Sequence, residues 1–259
     1  MLFVLSPAKT LDFETPAHTD RASLPAFIDR SAALIEVLRG KTPAEISQLM
    51  TLSDPLAALN VARYQSWSAE FTPHNSKQAV LAFMGDVYEG LQAASFNAAD
   101  LDFAQQRLRI LSGLYGVLRP LDRMQPYRLE MGTRLVNPDG RNLYDFWGDS
   151  LTEALNAELA SQSQPVLVNL ASEEYFKAVK RKKLQARLVE CVFEDFKSGG
   201  YKIISFHAKR ARGLMARFAL LNRLEHVEQL QAFDLDGYRY CAQHSEPDRL
   251  VFRRQLTTV

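Results

Sequence analysis

Residues 110–135 decide how this chain folds, and they read ILSGLYGVLRPLDRMQPYRLEMGTRL. Their glycines and prolines rule out a continuous helix, while their leucines need burial. The same stretch contains six charged side chains, and a charged group that is buried needs a partner. They are Arg119, Asp122, Arg123, Arg128, Glu130 and Arg134. The stretch is therefore either a loop that lines a cleft or a loop held by its own ion pairs.

Short apolar runs on both sides of this stretch predict buried strands, because each run ends at turn or loop residues. Ser198-Gly199-Gly200 joins two of the runs and is typical of a hairpin turn. The predicted strands are Leu2–Leu5, Ala79–Phe83, Leu108–Leu111, Pro165–Leu170, Leu188–Phe196, Tyr201–Phe206, Tyr238–Cys241 and Leu250–Arg253.

Helical periodicity and capping residues predict helices between these strands. With 259 residues, of which 47% are hydrophobic, the chain can form one large domain or two small ones. Besides the 42–67 region described next, the predicted helices are one capped by Ser23 and ended by Gly40, one from Asp100 to Arg107, one from Tyr144 to Leu159, one opened by His207 and one near Val227–Leu230.

Residues 42–67 predict two helices joined by a tight turn. The first begins with a capping box made by Thr42 and Glu45, and Asp54-Pro55 begins the second. The pattern resembles a helix-hairpin-helix, which offers turn amides and a helix N-terminus to a DNA phosphate. Such turns usually carry glycines, whereas this one reads Thr51, Leu52 and Ser53, so an ordinary helical hairpin is the alternative.

The charge of the chain is unevenly distributed, although its net value is only +1. Residues 171–223 contain thirteen Lys and Arg against five acidic residues, a net charge of +8, and the rest of the chain carries −7. A segment this basic favours a polyanion or an anionic substrate at one face, and a solvated surface is the simpler explanation.

Polar residues follow two of the predicted strands. Ser6, Lys9 and Thr10 come after the first, and a lysine with two hydroxyls beyond a strand end suits phosphate binding. Polar groups at the carboxyl ends of strands are where open α/β sheets bind ligands. The residues that follow Pro165–Leu170 or close that strand are Asn169, Ser172, Glu174 and Tyr175.

Cations also crowd the start of the helix that His207 opens. Lys209 and Arg212 lie within one turn of each other, where their charges oppose the helix dipole. We therefore expect an anion to compensate them, either on residues 110–135 or in a ligand.

Composition argues against several other classes of protein. No run of about 18 apolar residues is present, which excludes a membrane-spanning helix, and Pro7 follows the first apolar run too soon for a signal peptide. Cys191 and Cys241 lie in no motif, so we expect reduced cysteines in a cytoplasmic protein. The five histidines are scattered, so no metal site and no cofactor are expected.

Six motifs, spread in order over nearly the whole chain, resemble the YaaA family of bacterial peroxide-stress proteins. They are Ser6–Thr10 (SPAKT), Gly85–Leu91 (GDVYEGL), Leu111–Asp122 (LSGLYGVLRPLD), Tyr127–Gly132 (YRLEMG), Asn169–Tyr175 (NLASEEY) and Lys209–Gly213 (KRARG).

The resemblance implies a mixed α/β (α+β) fold, with one domain over residues 1–259, a mixed sheet, surrounding helices, a basic cleft and a helix-hairpin-helix. It also implies a cytoplasmic protein that binds duplex or branched DNA and limits damage from unincorporated iron under oxidative stress. We expect no membrane and no obligate protein partner.

Two functional hypotheses follow. In the first, the chain is a DNA-binding stress protein whose phosphate contacts are Lys9, Thr51, Leu52, Ser53, Arg119, Arg128, Lys209 and Arg212. In the second, it is an enzyme acting on a nucleotide or a nucleic-acid base, with Glu130, Glu174 or Lys9 as catalytic candidates. In both, the expected lining of the cleft is Ser6, Thr10, Tyr88, Ser112, Tyr115, Tyr127, Asn169, Ser172 and Tyr175.

Overall fold

The computed structural model describes residues 1–255 of the chain, so the last four residues of the predicted domain lie outside the described part. Its strands are β1 (Leu2–Leu5), β2 (Thr10–Leu11), β3 (Lys77–Gln78), β4 (Phe83–Met84), β5 (Leu108–Ser112), β6 (Gly116–Leu118), β7 (Arg123–Met124), β8 (Val166–Leu170), β9 (Arg187–Lys197), β10 (Gly200–Lys202), β11 (Arg239–Tyr240) and β12 (Arg249–Arg254).

The helices lie between and around these strands. They are α1 (Ile28–Arg39), α2 (Pro43–Met50), α3 (Asp54–Ser66), α4 (Ala79–Ala82), α5 (Asp86–Leu91), α6 (Ala98–Arg107), α7 (Leu143–Trp147), α8 (Ser150–Leu159), α9 (Glu173–Phe176) and α10 (Ser205–Leu221). Short 3₁₀ turns complete the chain at Ala93–Ser95, Arg181–Lys183, Val227–Ala232, Leu235–Gly237 and Ala242–His244.

An eight-stranded mixed sheet organises the fold, with strand order β11-β12-β9-β8-β1-β5-β6 and β10 paired to β9. The five central strands run parallel, whereas β11, β6 and β10 each pair antiparallel with their neighbour. Every residue of β1, β5 and β8 is buried, as expected of strands covered on both faces. The predicted mixed α/β class is confirmed.

Strand order places a switch in chain direction beside β1. The chain adds β5 on one side of β1 and then returns to add β8 on the other side. The connection that follows β1 therefore runs toward β5, and the connection that follows β8 runs the other way, toward β9. This divergence opens a crevice at the carboxyl ends of β1 and β8.

Residues 110–135 form ion pairs among themselves, and one of them, Glu130, also lines the cleft described below. They begin as the β5–β6 hairpin, and their carbonyl at Leu129 folds back so close to Gly113 that a Cβ there would lie 2.2 Å from the oxygen. Four of the internal charges form two pairs within the stretch, Arg119 with Asp122 at 3.0 Å and Arg128 with Glu130 at 3.0 Å.

Several predicted elements were wrong. Ala79–Ala82 forms the short helix α4 instead of a strand, because a five-residue apolar run carries no periodicity that separates the two. The helix predicted over 144–159 is broken by Gly148, whose φ of +49° suits glycine. Ser23 does not cap α1, since it bridges to Asp122 and the helix starts only at Ile28.

The helical hairpin at residues 42–67 is present as α2 and α3. Its first helix begins with the predicted capping box, in which Thr42 accepts from the N–H of Glu45 and the Glu45 carboxylate accepts from the N–H of Thr42. Thr51 ends α2 in the left-handed region at φ +53°. The α2–α3 turn thus adopts a conformation that glycine would favour.

Candidate functional site

A cleft of about 480 Å³ opens at the carboxyl ends of β1 and β8, at the switch in strand order. Five segments of the chain contribute to it: the loop after β1, the start of α5, the segment before Gly132, the loop after β8 and α10. Its lining residues are Ser6, Pro7, Ala8, Lys9, Thr10, Met84, Gly85, Asp86, Val87, Glu130, Leu170, Ser172, Glu174, Tyr175, Lys209 and Arg212.

Hydrogen bonds between the two strand ends fix the floor of the cleft. The Ser6 hydroxyl donates to the Ser172 hydroxyl at 3.2 Å and accepts from the Ser172 N–H at 2.8 Å. The Tyr88 hydroxyl donates to the Ser6 carbonyl at 3.0 Å. Burial raises the pKa of Tyr88 and of Tyr175, so both phenols stay protonated.

Glu130 stands at one wall between two cations. Its carboxylate lies 3.4 Å from the Lys9 ammonium and 3.0 Å from the Arg128 guanidinium. Tyr64 at the end of α3 donates from its hydroxyl to the Arg128 carbonyl at 2.5 Å. Arg128 lines a small recess beside the cleft with Lys9 and Glu130. Glu130 thus pairs with both cations before any ligand binds, and the three groups together keep a net charge of +1.

Glu174 is held by a backbone contact to the same segment that carries Glu130. One of its carboxylate oxygens accepts from the N–H of Gly132 at 3.0 Å. No ion pair to Glu174 occurs within residues 1–255. The carboxylate is exposed toward the cleft and keeps free acceptor sites.

Arg212 and Lys209 form the third wall and come from α10. Arg212 is partly buried, and that burial lowers the pKa of its guanidinium. Among the described residues, neither cation forms an ion pair or a side-chain hydrogen bond. The N–H donors of Arg212 and Lys209 therefore have no acceptor in the described part of the chain and are available to a ligand.

Comparison with known proteins agrees with these motifs. Residues 1–244 match the family described as "Peroxide stress protein YaaA". This chain belongs to that family. A UPF0246 protein of Ralstonia nicotianae is 64% identical over 255 residues, which cover 98% of this chain and 99% of that protein. UPF0246 proteins of Ralstonia pickettii (63% over 257 residues, 99% of this chain and 100% of that protein) and Bordetella petrii (60% over 255 residues, 98% and 100%) are similar over comparable lengths.

The cleft of this YaaA family member is mixed in charge, which the resemblance did not predict. Its lining includes three cations, Lys9, Lys209 and Arg212, and three acids, Asp86, Glu130 and Glu174. The free positive charge is concentrated on α10, because Glu130 already pairs with Lys9. The cleft that was predicted to be basic thus has as many acidic as basic residues in its lining.

Most of the predicted lining residues lie at the cleft or directly beneath it. Ser6, Thr10, Ser172 and Tyr175 line it, while Tyr88 anchors its floor. The remaining four are buried supports that do not line it: the Ser112 hydroxyl bonds the Tyr127 hydroxyl at 2.6 Å, Tyr115 bonds Gln125 and Trp67, and Asn169 accepts from the N–H of Ala171 at 2.9 Å.

Other predicted phosphate contacts lie elsewhere. Arg119 does not line the cleft, because it pairs with the buried Asp122 and donates to the Leu24 carbonyl. Thr51, Leu52 and Ser53 form the turn before α3. With a rise of about 1.5 Å per helical residue, this turn lies about 16 Å along the helix from Tyr64, whose hydroxyl bonds Arg128 beside the cleft. The amides of Thr51 and Leu52 both donate to the Ser47 carbonyl, and Leu52 is buried.

Sequence reasoning named Tyr88 of α5 but missed the four residues that precede it. Met84, Gly85, Asp86 and Val87 line the cleft beside α10. Gly85 has φ +135°, which turns the chain sharply into the helix. The GDVYEGL motif carried this signal, but nothing in it indicated which strand end it would face. Within residues 1–255, no group of three or more His, Cys, Asp or Glu could hold a metal ion, and no helix could span a membrane.

Proposed function

We propose that this protein is a cytoplasmic DNA-binding protein that protects DNA during peroxide stress. In this proposal the phosphates of duplex or branched DNA bind at the α10 wall of the cleft, with little dependence on base sequence. Fe²⁺ reacts with hydrogen peroxide to give hydroxyl radicals, which attack DNA, so occupation of the duplex limits the damage caused by unincorporated iron.

Arg212 carries this proposal. Its guanidinium is partly buried, faces the cleft and has no carboxylate partner in the described part of the chain. A guanidinium can donate two parallel hydrogen bonds to two oxygens of a phosphate, which is why arginine is common at phosphate sites. Lys209, one turn earlier on the same wall, supplies a second contact at an exposed position.

The charge distribution supports a polyanion over a single small anion. Residues 171–223, which include α10, carry a net charge of +8. A field of this kind steers DNA toward the molecule, and release of counterions makes the affinity depend on salt. Contacts to phosphates position the protein without specifying sequence.

Equilibrium binding tests the proposal directly. Fluorescence anisotropy with two labelled duplexes of unrelated sequence, between 50 and 200 mM salt, should give equal affinities that fall steeply with salt. Arg212→Gln and Lys209→Gln should each weaken binding and reduce the slope of log K against log salt by about 1. Lys182→Gln is the matched control, because Lys182 is exposed in the same basic segment but does not line the cleft. Equal losses in all three variants would contradict a site at the cleft.

A second function is favoured by the free carboxylate of Glu174. Binding of phosphate does not require an acidic wall, whereas acid-base chemistry on a nucleotide or a nucleic-acid base does. Glu174 has free acceptor sites and lines the same cleft as Arg212. Glu130 is less suited to this role, since Lys9 and Arg128 already hold it.

A further inference from the structure

A second cavity, of about 550 Å³, lies apart from the cleft and shares no lining residue with it. We call it the loop pocket. Four segments line it: residues 13–20 after β2, Arg63 and Ser66 at the end of α3, residues 73–78, and residues 123–126. Its volume is typical of a site for a small molecule.

The walls of the loop pocket are fixed by buried polar groups. The Lys77 ammonium donates to the carbonyls of Asp12 and Thr15, both at 2.8 Å. The Gln78 amide donates to the carbonyls of Thr19 and Arg21 at 3.0 and 2.8 Å. These bonds hold the loop against β3, so the cavity is formed in advance of any ligand.

Two arginines at the loop pocket have no carboxylate partner among residues 1–255. In that part of the chain the Arg63 guanidinium donates only to the Asn60 side chain, at 3.4 Å, and its partial burial lowers its pKa. Arg123 donates from one nitrogen to the Ser76 carbonyl at 3.2 Å. Within residues 1–255 neither arginine lies within ion-pair distance of an acid, which leaves most of their N–H donors for a ligand.

The rest of the lining narrows the class of ligand. Phe13, Pro16, Pro73 and Pro126 give the pocket an apolar side, and Asp20 is the one acid in its lining as far as the structure describes the chain. Lys77 is occupied by the loop, so the available positive charge is that of two guanidiniums. Two guanidiniums match the two negative charges of a phosphate monoester better than the single charge of a carboxylate.

We propose that the loop pocket binds a phosphate monoester of the size of a mononucleotide, with Arg63 and Arg123 on the phosphate and the apolar side against the organic part. A phosphate monoester occurs on a free nucleotide and also at the 5′ end of a DNA strand. The chemistry of recognition is the same in both. The proposal does not depend on DNA binding at the cleft.

Isothermal titration with adenosine 5′-monophosphate, adenosine, and a short single-stranded oligonucleotide with and without its 5′-phosphate tests the site. We expect the monophosphate to bind and adenosine to bind at least about tenfold more weakly, because charged hydrogen bonds to the phosphate are lost. Arg63→Gln and Arg123→Gln should each weaken binding of the monophosphate by at least about tenfold, and Arg123→Lys by less. A second outcome also supports the site: only the 5′-phosphorylated oligonucleotide binds, and both Gln variants bind it at least about tenfold more weakly. That outcome assigns the phosphate to a DNA end.

Two control variants separate this site from the others. Arg239→Gln removes an exposed arginine elsewhere and should bind as the unmodified protein does, while Arg212→Gln should change duplex binding and leave the monophosphate unaffected. Thermal unfolding confirms that each variant is folded. The proposal is overturned if Arg63→Gln and Arg123→Gln bind the monophosphate normally, if the phosphate makes no difference to affinity, or if Arg212→Gln alone abolishes binding.

Discussion

Gly213 on α10 packs against the backbone of Val87 on α5, so closely that a Cβ on Gly213 would lie 1.8 Å from the Val87 carbonyl oxygen. Gly90 on α5 packs equally closely against α10, because a Cβ on Gly90 would lie 2.3 Å from the Arg210 carbonyl oxygen. Val87 and Arg212 both line the cleft, so this contact between helices sets the distance between two of its walls.

Gly213→Ala should destabilise the protein, although alanine is the better helix former. The gain in helix propensity is at most about 1 kcal/mol, whereas forcing two backbones apart costs about 1–3 kcal/mol or more. Urea unfolding should therefore show a lower free energy of unfolding. Gly200→Ala is the control, because nothing lies within 4 Å of its Cβ position, and it should change stability by less than about 0.5 kcal/mol. An unchanged midpoint for Gly213→Ala would show that the helices are not in this contact.

Thr51→Gly should stabilise the α2–α3 turn. Thr51 is β-branched and has φ +53°, a conformation that costs about 1–2 kcal/mol for a residue with a Cβ. Part of this gain is offset by the greater freedom of glycine in the unfolded chain, so we expect a net increase of about 0.5–1 kcal/mol in urea unfolding.

The same variant tests the role of the hairpin in DNA binding. The amides of Thr51 and Leu52 already donate to the Ser47 carbonyl, and Thr51→Gly leaves those bonds in place. We expect the duplex affinity of Thr51→Gly to stay within about twofold of the unmodified protein. A larger increase would assign the main phosphate contact to the turn instead of the cleft.

Alkaline pH should destabilise the protein through its buried tyrosines. Burial raises the pKa of Tyr127, Tyr88 and Tyr175 above the usual value of about 10. Above that pH the unfolded chain releases these protons while the native state keeps them, so the free energy of unfolding falls as the pH rises. Below it, these groups are neutral in both states and contribute no pH dependence.

Urea unfolding between pH 8 and 11 measures this effect. Each buried tyrosine should add up to about 1.4 kcal/mol per pH unit to the downward slope. Tyr127→Phe should make the slope less steep by the contribution of one tyrosine. Absorbance near 295 nm measures how much phenolate forms in the native state. A slope that Tyr127→Phe leaves unchanged would show that Tyr127 ionises equally in both states.

Glu174→Gln separates DNA binding from catalysis. Glutamine keeps an oxygen that can accept from the N–H of Gly132, so the local structure should persist. If the protein acts by binding, the variant should bind duplex DNA at least as tightly, because one negative charge leaves the cleft. It should also restore peroxide resistance to cells that lack the protein. Normal DNA binding combined with lost protection would instead support the enzyme.

The sheet could be predicted largely from sequence because its central strands are buried on both faces. Leu2–Leu5 is continuously apolar, Val166–Leu170 is apolar except for Asn169, and both end at polar loops, which fixes their extent and the side where the site forms. The capping box at Thr42 was equally local and was confirmed.

The remaining errors arose where long-range contacts decide. Arg119 lies in the same stretch as Arg128, but it turns away from the cleft and donates to the Leu24 carbonyl, 95 positions earlier in the chain. The loop pocket was not predicted at all, since Arg63 and Arg123 are brought together by the β3–β7 pairing and by the end of α3. Gly90 and Gly213 were visible in motifs, but glycine is required there by the contacts with Arg210 and Val87, which lie 120 and 126 positions away in the chain.

A crystal structure of the protein with a short DNA duplex tests the central claim most directly. The proposal predicts phosphate oxygens at hydrogen-bonding distance, about 2.7–3.2 Å, from the guanidinium of Arg212 and the ammonium of Lys209. A duplex seated on another surface, with both cations still lacking a phosphate, would contradict it.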